Sequence, residues 1–198
     1  MEDLVRRQLA QSIATMQAVL ADRQIHATLV RAAELTAQAM QSGRKLMVAG
    51  NGGSAADAQH LVAEFVVRLA ANRRALPAIA LTTDSSTLTA AGNDFGFSTV
   101  FARQIEALGS PGDVFLGIST SGNSSNILAA LEAAKKLNVT TFGLSGAGGG
   151  KMAALCDLHI AIPSTSTMNI QESHLALEHI FCMLVEQCIF GADFDKLV

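Results

Sequence analysis

The chain opens with apolar residues recurring three and four positions apart, over Glu2 to Asp22 and again over His26 to Gln41. That spacing lines one face of a helix, so two amphipathic helices are predicted there. After SGRK the pattern changes. KLMVAG is apolar without alternation and reads as a short buried strand, and NGGS is a turn. SAADAQHLVAEFVVRLA returns to helical spacing, with Ser54 as its expected N-cap. PAIALTT, introduced by Pro77, reads as a second buried strand. SSTLTAAGNDFGF holds a short helix and a glycine-rich bend, and the helix TVFARQIEALG is stopped by Pro111 and Gly112. Three more strands follow, DVFLGIS, VTTFGLSG and DLHIAIPS, separated by the helix NILAALEAAKKL and the turn GGGKMAALC. A long helix from about Asn169 to Phe190 closes the pattern.

Strands that are apolar throughout and alternate with helices form a parallel sheet covered on both faces. The expected fold is therefore α/β: five parallel strands sandwiched by helices, flavodoxin-like, with a helical N-terminal extension. No linker, repeat or low-complexity tract divides the chain, so residues 1–198 read as one domain. Within it, 1–42 are the extension and 43–198 the sandwich. In such a sheet ligands bind beyond the carboxyl ends of the strands.

Composition narrows the classes. Of 198 residues, 49% are hydrophobic and 16% charged, which suits a packed core and argues against disorder. The formal charge of −3 comes without any basic cluster, so nucleic acid is not the expected ligand. The opening MEDLVRRQLAQS is charged and does not read as a signal peptide. No apolar run approaches the ~20 residues of a membrane helix. Cys156, Cys182 and Cys188 are odd in number and lack metal-type spacing. They read as small buried hydrophobes in a reducing compartment, and a cytoplasmic protein is expected. Mean hydropathy is nevertheless positive, which fits terminal helices burying apolar faces against sister subunits.

Two loops after strands carry candidate chemistry. In AGNGGSAADAQH, Gly50, Gly52 and Ala55 meet the spacing G-x-G-x-x-G/A. The acidic residue that a dinucleotide needs about 20 positions on is missing, because Asp84 comes later inside a Thr/Ser-rich loop. The P-loop spacing is absent too. What remains is a turn whose glycines let backbone N–H groups approach a ligand, with Asn51 and Ser54 adding polar contacts. In GISTSGNSSNIL, hydroxyls from Ser119, Ser121 and Ser124 gather where the next helix begins. Helix capping accounts for one or two such residues, not the run. A helix N-terminus with added hydroxyls makes a neutral cradle for a phosphoryl group.

GNGGSAADAQH and GISTSGNSSNIL, with AGNDFGF, GGGKMA and IQESHLALEH in order over nearly the whole chain, resemble the sugar isomerase (SIS) domain, and within it the phosphoheptose isomerases. The resemblance implies a homotetramer with interfacial active sites and a zinc ion held by His60, Glu64, Gln171 and His179. It implies isomerisation of D-sedoheptulose 7-phosphate to D-glycero-D-manno-heptose 7-phosphate through an enediol, for heptose and lipopolysaccharide-core precursors. Glu64 is then the candidate base and His179 its acid partner, although a carboxylate on zinc is a weaker base. The phosphate falls to Ser119, Thr120, Ser121 and Ser124. Sugar hydroxyls fall to Asn51, Gly52, Gly53, Asn93 and Asp94, with Gln171 also near substrate.

The residues alone support part of this. His60 and Glu64 stand four apart, on one helix face, and are expected about one turn from its start. N and O donors suit a divalent metal. Gln171 and His179 are eight apart, about 12 Å along a helix. Either Gln171 lies in the loop before the helix, or different subunits supply the two groups. Glu172, His174 and Glu178 read as solvated residues of that helix. Met168 and Asn169 stand where the family often carries an acidic and a basic residue. The rival readings are a non-catalytic SIS tetramer that binds a bacterial replication initiator, and another phosphosugar isomerase or etherase.

Overall fold

The computed structural model describes residues 1–70 and 72–191. Its sheet has five strands, all parallel: β1 (Leu46–Ala49), β2 (Ala78–Ala80), β3 (Val114–Ser119), β4 (Thr140–Ser145) and β5 (Leu158–Ala161). Their order is β2-β1-β3-β4-β5, so the chain reverses direction of travel between β1 and β3. The loops after those two strands therefore face each other across a crevice, the place where such sheets bind ligands.

Central and edge strands differ. Every residue of β1 and β3 is buried, whereas β2 is a three-residue edge whose Ile79 is exposed. The expectation of a second buried strand thus fails, because β2 has a neighbour on one side only.

Seven α-helices are described. α2 (Arg23–Gln41), α3 (Gly53–Val66) and α7 (Thr167–Phe190) cover one face of the sheet, where Leu61, Phe65, Phe142 and Phe181 form the core. α4 (Ser85–Phe95), α5 (Val100–Leu108) and α6 (Ser125–Lys136) cover the other, around Phe101, Ile105, Phe115 and Leu131. Asp22 separates the first two helices and caps α2 by accepting from the N–H groups of Gln24 and Ile25. α1 (Glu2–Ala21) lies against α7 but buries only Thr15 and Val19, leaving Leu4, Val5, Leu9, Ile13 and Leu20 exposed.

Several local expectations are corrected. Ser54 is not the cap of α3. Gly52 is, at φ 57°, and Ser54 is buried inside the first turn. A left-handed backbone at that point favours glycine, so the helix starts earlier than a hydroxyl cap would place it. His60 consequently lies two turns in and Glu64 in the last turn, not one turn from the start. α7 begins at Thr167 and contains Gln171, so that residue is not in the preceding loop. Of the cysteines, all free, Cys182 is buried and Cys156 half-buried, but Cys188 is exposed, on the outer side of α7.

Candidate functional site

The polar loop after β3 is held open by its own hydrogen bonds. Ser119 Oγ lies 2.9 Å from Ser124 Oγ, so the hydroxyl at the N-cap of α6 is spent across the loop. Ser121 Oγ accepts from Asn123 N–H. No side chain caps α6, which leaves the first N–H groups of that helix facing the crevice. The hydroxyl run is therefore not explained by capping.

Two further contacts fix this loop. Asn51, after β1, and Asn126, in the first turn of α6, exchange a reciprocal pair of amide hydrogen bonds at 2.9 and 2.8 Å. The loop after β4 is pressed against the other side. Gly122 has φ 65°, and a Cβ there would strike the Gly149 carbonyl. Its carbonyl accepts from Met152 N–H, and Asn123 Oδ1 accepts from Lys151 N–H. The GGGKMA motif is thus a backbone buttress for the serine loop.

Beside that loop lies a hollow of about 240 Å³, lined by Thr120, Ser121, Ala147, Ser164, Thr165 and Thr167. The last three were missed from sequence, although STST directly after the fifth strand was the available signal. α7 also starts at this hollow and is also uncapped by a side chain. Two helix N-termini and several hydroxyls, with no Lys or Arg among the lining residues, make a neutral site for a dianion.

The second group sits along the seam of α3 and α7, which run side by side in the same direction. At the upper end the Gln171 side chain lies over Gly53, where any Cβ would collide with it. Seven and eight residues further down, His60 and His179 meet. Their Nε2 atoms are 2.9 Å apart and their rings stand edge to face at 5.1 Å. His60 Nε2 is also 3.6 Å from Glu64 Oε1. His60 is partly open to solvent, and Glu64 is mostly covered.

Between the two ends the seam is buried and carries ionisable side chains, contrary to the expectation of a solvated surface. Glu172 is exposed, but His174 and Glu178 are fully buried. His174 Nε2 lies 3.1 Å from the Ser145 carbonyl, to which it donates, and its Nδ1 has no partner. Burial pulls its pKa down to about 4. Burial, with Asp57 nearby, pushes Glu178 up to about 8. Burial also raises Asp57, against the pull of His60.

Not all candidates come together. Asn51 has both amide atoms engaged with Asn126. Asn93 and Asp94 are exposed on the last turn of α4, bonded to each other. Asp94 lines a separate hollow with Asp84, Thr87 and Arg103. Gln171 and His179 are both helical, so about 12 Å separates them along α7. Asn169 turns away from the crevice to bond Ser12 of α1, and Met168 is exposed.

For a metal, the donor chemistry fits: two imidazole nitrogens and a carboxylate oxygen meet around His60 Nε2, a set suited to zinc-like ions. The set is not closed within one chain. Among the described residues no group of three or more His, Cys, Asp or Glu is drawn together tightly enough to hold a metal.

Comparisons with known proteins bear on the family and the fold. The SIS domain model matches residues 9–146. A phosphoheptose isomerase of Aneurinibacillus thermoaerophilus is 50% identical over 194 residues, covering 98% of this chain and 98% of its own. A solved phosphoheptose isomerase from Neisseria gonorrhoeae superposes with a TM-score of 0.89 at 42% identity, over 94% of this chain and 98% of that one. One from Francisella tularensis gives 0.90 at 36%, over 93% and 97%.

Proposed function

The chain belongs to the phosphoheptose isomerases of the SIS-domain family, and from that footing we propose how its residues carry out the isomerisation of sedoheptulose 7-phosphate. It is an enzyme, and the non-catalytic SIS reading is set aside. The product is D-glycero-D-manno-heptose 7-phosphate, a precursor for surface heptose glycans such as the lipopolysaccharide core.

The grouping of His60, Glu64 and His179 carries this reading. Aldose–ketose interconversion needs a base that removes the proton beside the carbonyl and an acid that returns one to the neighbouring position. Glu64 is the base and His179 the acid, through a ring nitrogen that a bound metal ion does not engage. His60, wedged between them, holds the imidazole of His179 edge-on. The hollow at Thr120 and Ser121, with Ser119 and Ser124 behind it, receives the phosphate and anchors the substrate at a distance from the reacting carbons. Gly52 and Gly53 present backbone N–H groups to sugar hydroxyls, while from a neighbouring copy the Asn93 amide and the Asp94 carboxylate, which accepts from hydroxyls, complete the set. A zinc ion would be held by His60, Glu64, Gln171 and His179, and when bound it supplies charge that polarises the carbonyl.

One protomer does not complete this site. Glu64 lies eleven residues along α3 from Gly53, about 16 Å of rise from the start of the helix. A homotetramer supplies the missing half, with the cradle of one copy facing the His60–Glu64–His179 group of another. The exposed apolar face of α1 supports such packing, as does an apolar groove of about 350 Å³ between α1, α2 and α7. Among the described residues no helix is long and apolar enough to cross a membrane, and the cytoplasm is the proposed location.

The test is direct. Purified protein is incubated with sedoheptulose 7-phosphate, with and without chelator, and products are followed by NMR. Wild-type protein forms the aldose and loses activity on chelation, whereas Glu64→Gln and His179→Ala form none. Wild-type rates from Glu64→Gln would remove the assigned base.

A further inference from the structure

The last turn of a helix is its least secure part, because its final carbonyls have no partner within the helix. Glu64 lies in that turn of α3, which ends at Val66. Leu76 N–H donates to the Phe65 carbonyl at 3.0 Å, and one side chain secures the rest of the turn. Arg73, in the irregular segment before β2, has its side chain completely buried. Its Nη2 donates to the Glu64 carbonyl at 2.6 Å, and its Nη1 to the Phe65 carbonyl at 2.7 Å and, more weakly, to that of Val67 at 3.3 Å. Its Nε donates to Glu186 Oε1 at 2.7 Å, and that carboxylate is completely buried too.

Glu186 belongs to α7, seven residues or two turns beyond His179. The guanidinium thus joins the peptide of Glu64 to the helix that carries His179. At the other end of the same short stretch, His60 and His179 touch. The pair of helices is closed above and below the catalytic group.

We propose that Arg73 and Glu186 are positioning residues, which hold the backbone of Glu64 at a fixed place relative to His179 during the proton transfer. This rests on the assignment of Glu64 as base. A buried charged pair is costly to make and adds little to stability over an apolar pair of the same volume. What it adds here is direction: the planar fork of arginine bonds four carbonyls, that of Arg74 among them, and a carboxylate at once, which a lysine ammonium, a compact point charge, cannot reproduce in the same geometry. A displaced base costs turnover far more than it costs substrate binding, because the phosphate is gripped elsewhere.

Three variants test this: Arg73→Lys, Glu186→Gln, and the apolar pair Arg73→Met with Glu186→Leu. Each is measured for far-UV circular dichroism, thermal midpoint, kcat and KM, with Glu64→Gln and Glu64→Asp alongside. Folded Arg73→Lys and the apolar pair are expected to lose at least tenfold in kcat with KM within about twofold of wild type. In the Glu64→Asp background, where the base is already displaced, Arg73→Lys is expected to cost less than threefold. Folded variants with wild-type kcat overturn the proposal, as does an undiminished tenfold loss in the Glu64→Asp background. Failure of all three to fold assigns the pair to stability alone and overturns it as well. A fully active Glu64→Gln enzyme would instead remove the underlying assignment. A dead Glu64→Gln beside an active Arg73→Lys would remove only the clamp.

Discussion

The reciprocal amide pair between Asn51 and Asn126 makes a quantitative prediction, because it is the side-chain tie between the two loops that define the crevice. Asn126 is 2% exposed and Asn51 half-buried. Asn126→Leu keeps the volume and deletes both bonds. At about 1 kcal/mol net for each bond, the loss is about 2 kcal/mol. The orphaned Asn51 amide can turn to water, so its added penalty is small and the sum stays near 2–3 kcal/mol. Asn51→Ala is worse, since it strands the amide of Asn126 in the interior, and about 3–4 kcal/mol is expected. The double variant removes a group already orphaned by either single change, so the effects do not add. A coupling of about 1–2 kcal/mol should remain. The chain has no Trp or Tyr, so urea unfolding is followed by far-UV circular dichroism, at one fixed protomer concentration so that self-association cannot shift the midpoint. For a chain of this length the Asn126→Leu loss corresponds to a fall of about 5–10 °C in thermal midpoint. KM for the sugar phosphate should rise by up to about thirtyfold, the limit if the whole 2 kcal/mol is felt in the bound state. Single-variant losses that sum to the double-variant loss would show that the two amides do not act as one tie, and the reasoning would fail.

Ser124→Ala removes the hydroxyl that faces Ser119 without touching the His60–His179 group, so KM should rise several-fold with kcat within about twofold. A steady-state comparison of the two parameters decides it. Stability should depend on pH through the buried seam. Glu178 has its pKa raised to about 8, so its favourable contribution is whole below the ordinary carboxylate range and is lost as pH rises from about 4.5 to 8. His174 has its pKa lowered to about 4, so its contribution is whole above about 6.5 and is lost as pH falls towards 4. Unfolding midpoints from pH 4 to 9 should therefore peak in between. Glu178→Gln should flatten the alkaline side alone, and an unchanged alkaline slope in that variant would contradict the burial argument.

Much of the architecture was legible because each buried strand is a run such as LMVA or VFLGIS, and the helices between them keep their period. Position in the sheet was not legible. β2 has the composition of an inner strand and lies at the edge, since strand order depends on which crossovers pack, not on local sequence. The serine loop was readable as a polar turn at the mouth of the crevice, from hydroxyls placed directly after a strand. The STST segment after β5 was passed over, because hydroxyls in a loop carry no signal until the fold brings them to the same hollow. His174 and Glu178 misled for a related reason. Both are polar residues on a helix and suggest a wet face, yet α7 is packed by α1, α2 and α3 on several sides. Arg73 gave no sign at all, since its partners are backbone carbonyls and a glutamate 113 positions away.

The spacing of Gln171 and His179 now bears on how the enzyme is built. With both helical, about 12 Å of rise separates their backbones, which favours a site shared between copies of the chain. A longer separation appears on α3, where eleven residues, about 16 Å of rise, lie between Gly53 at the start and Glu64 in the last turn. A neighbouring copy arranged about a twofold axis would bring the phosphate end of one protomer against the catalytic end of the other, and would do so twice. Such an arrangement would cover Leu4, Leu9 and Ile13, which α1 exposes, and the apolar groove beside α7. It also gives the Arg73–Glu186 pair a sharper purpose. When half the site arrives with another subunit, each half must already be rigid, or the docking would bring base and substrate together at the wrong distance.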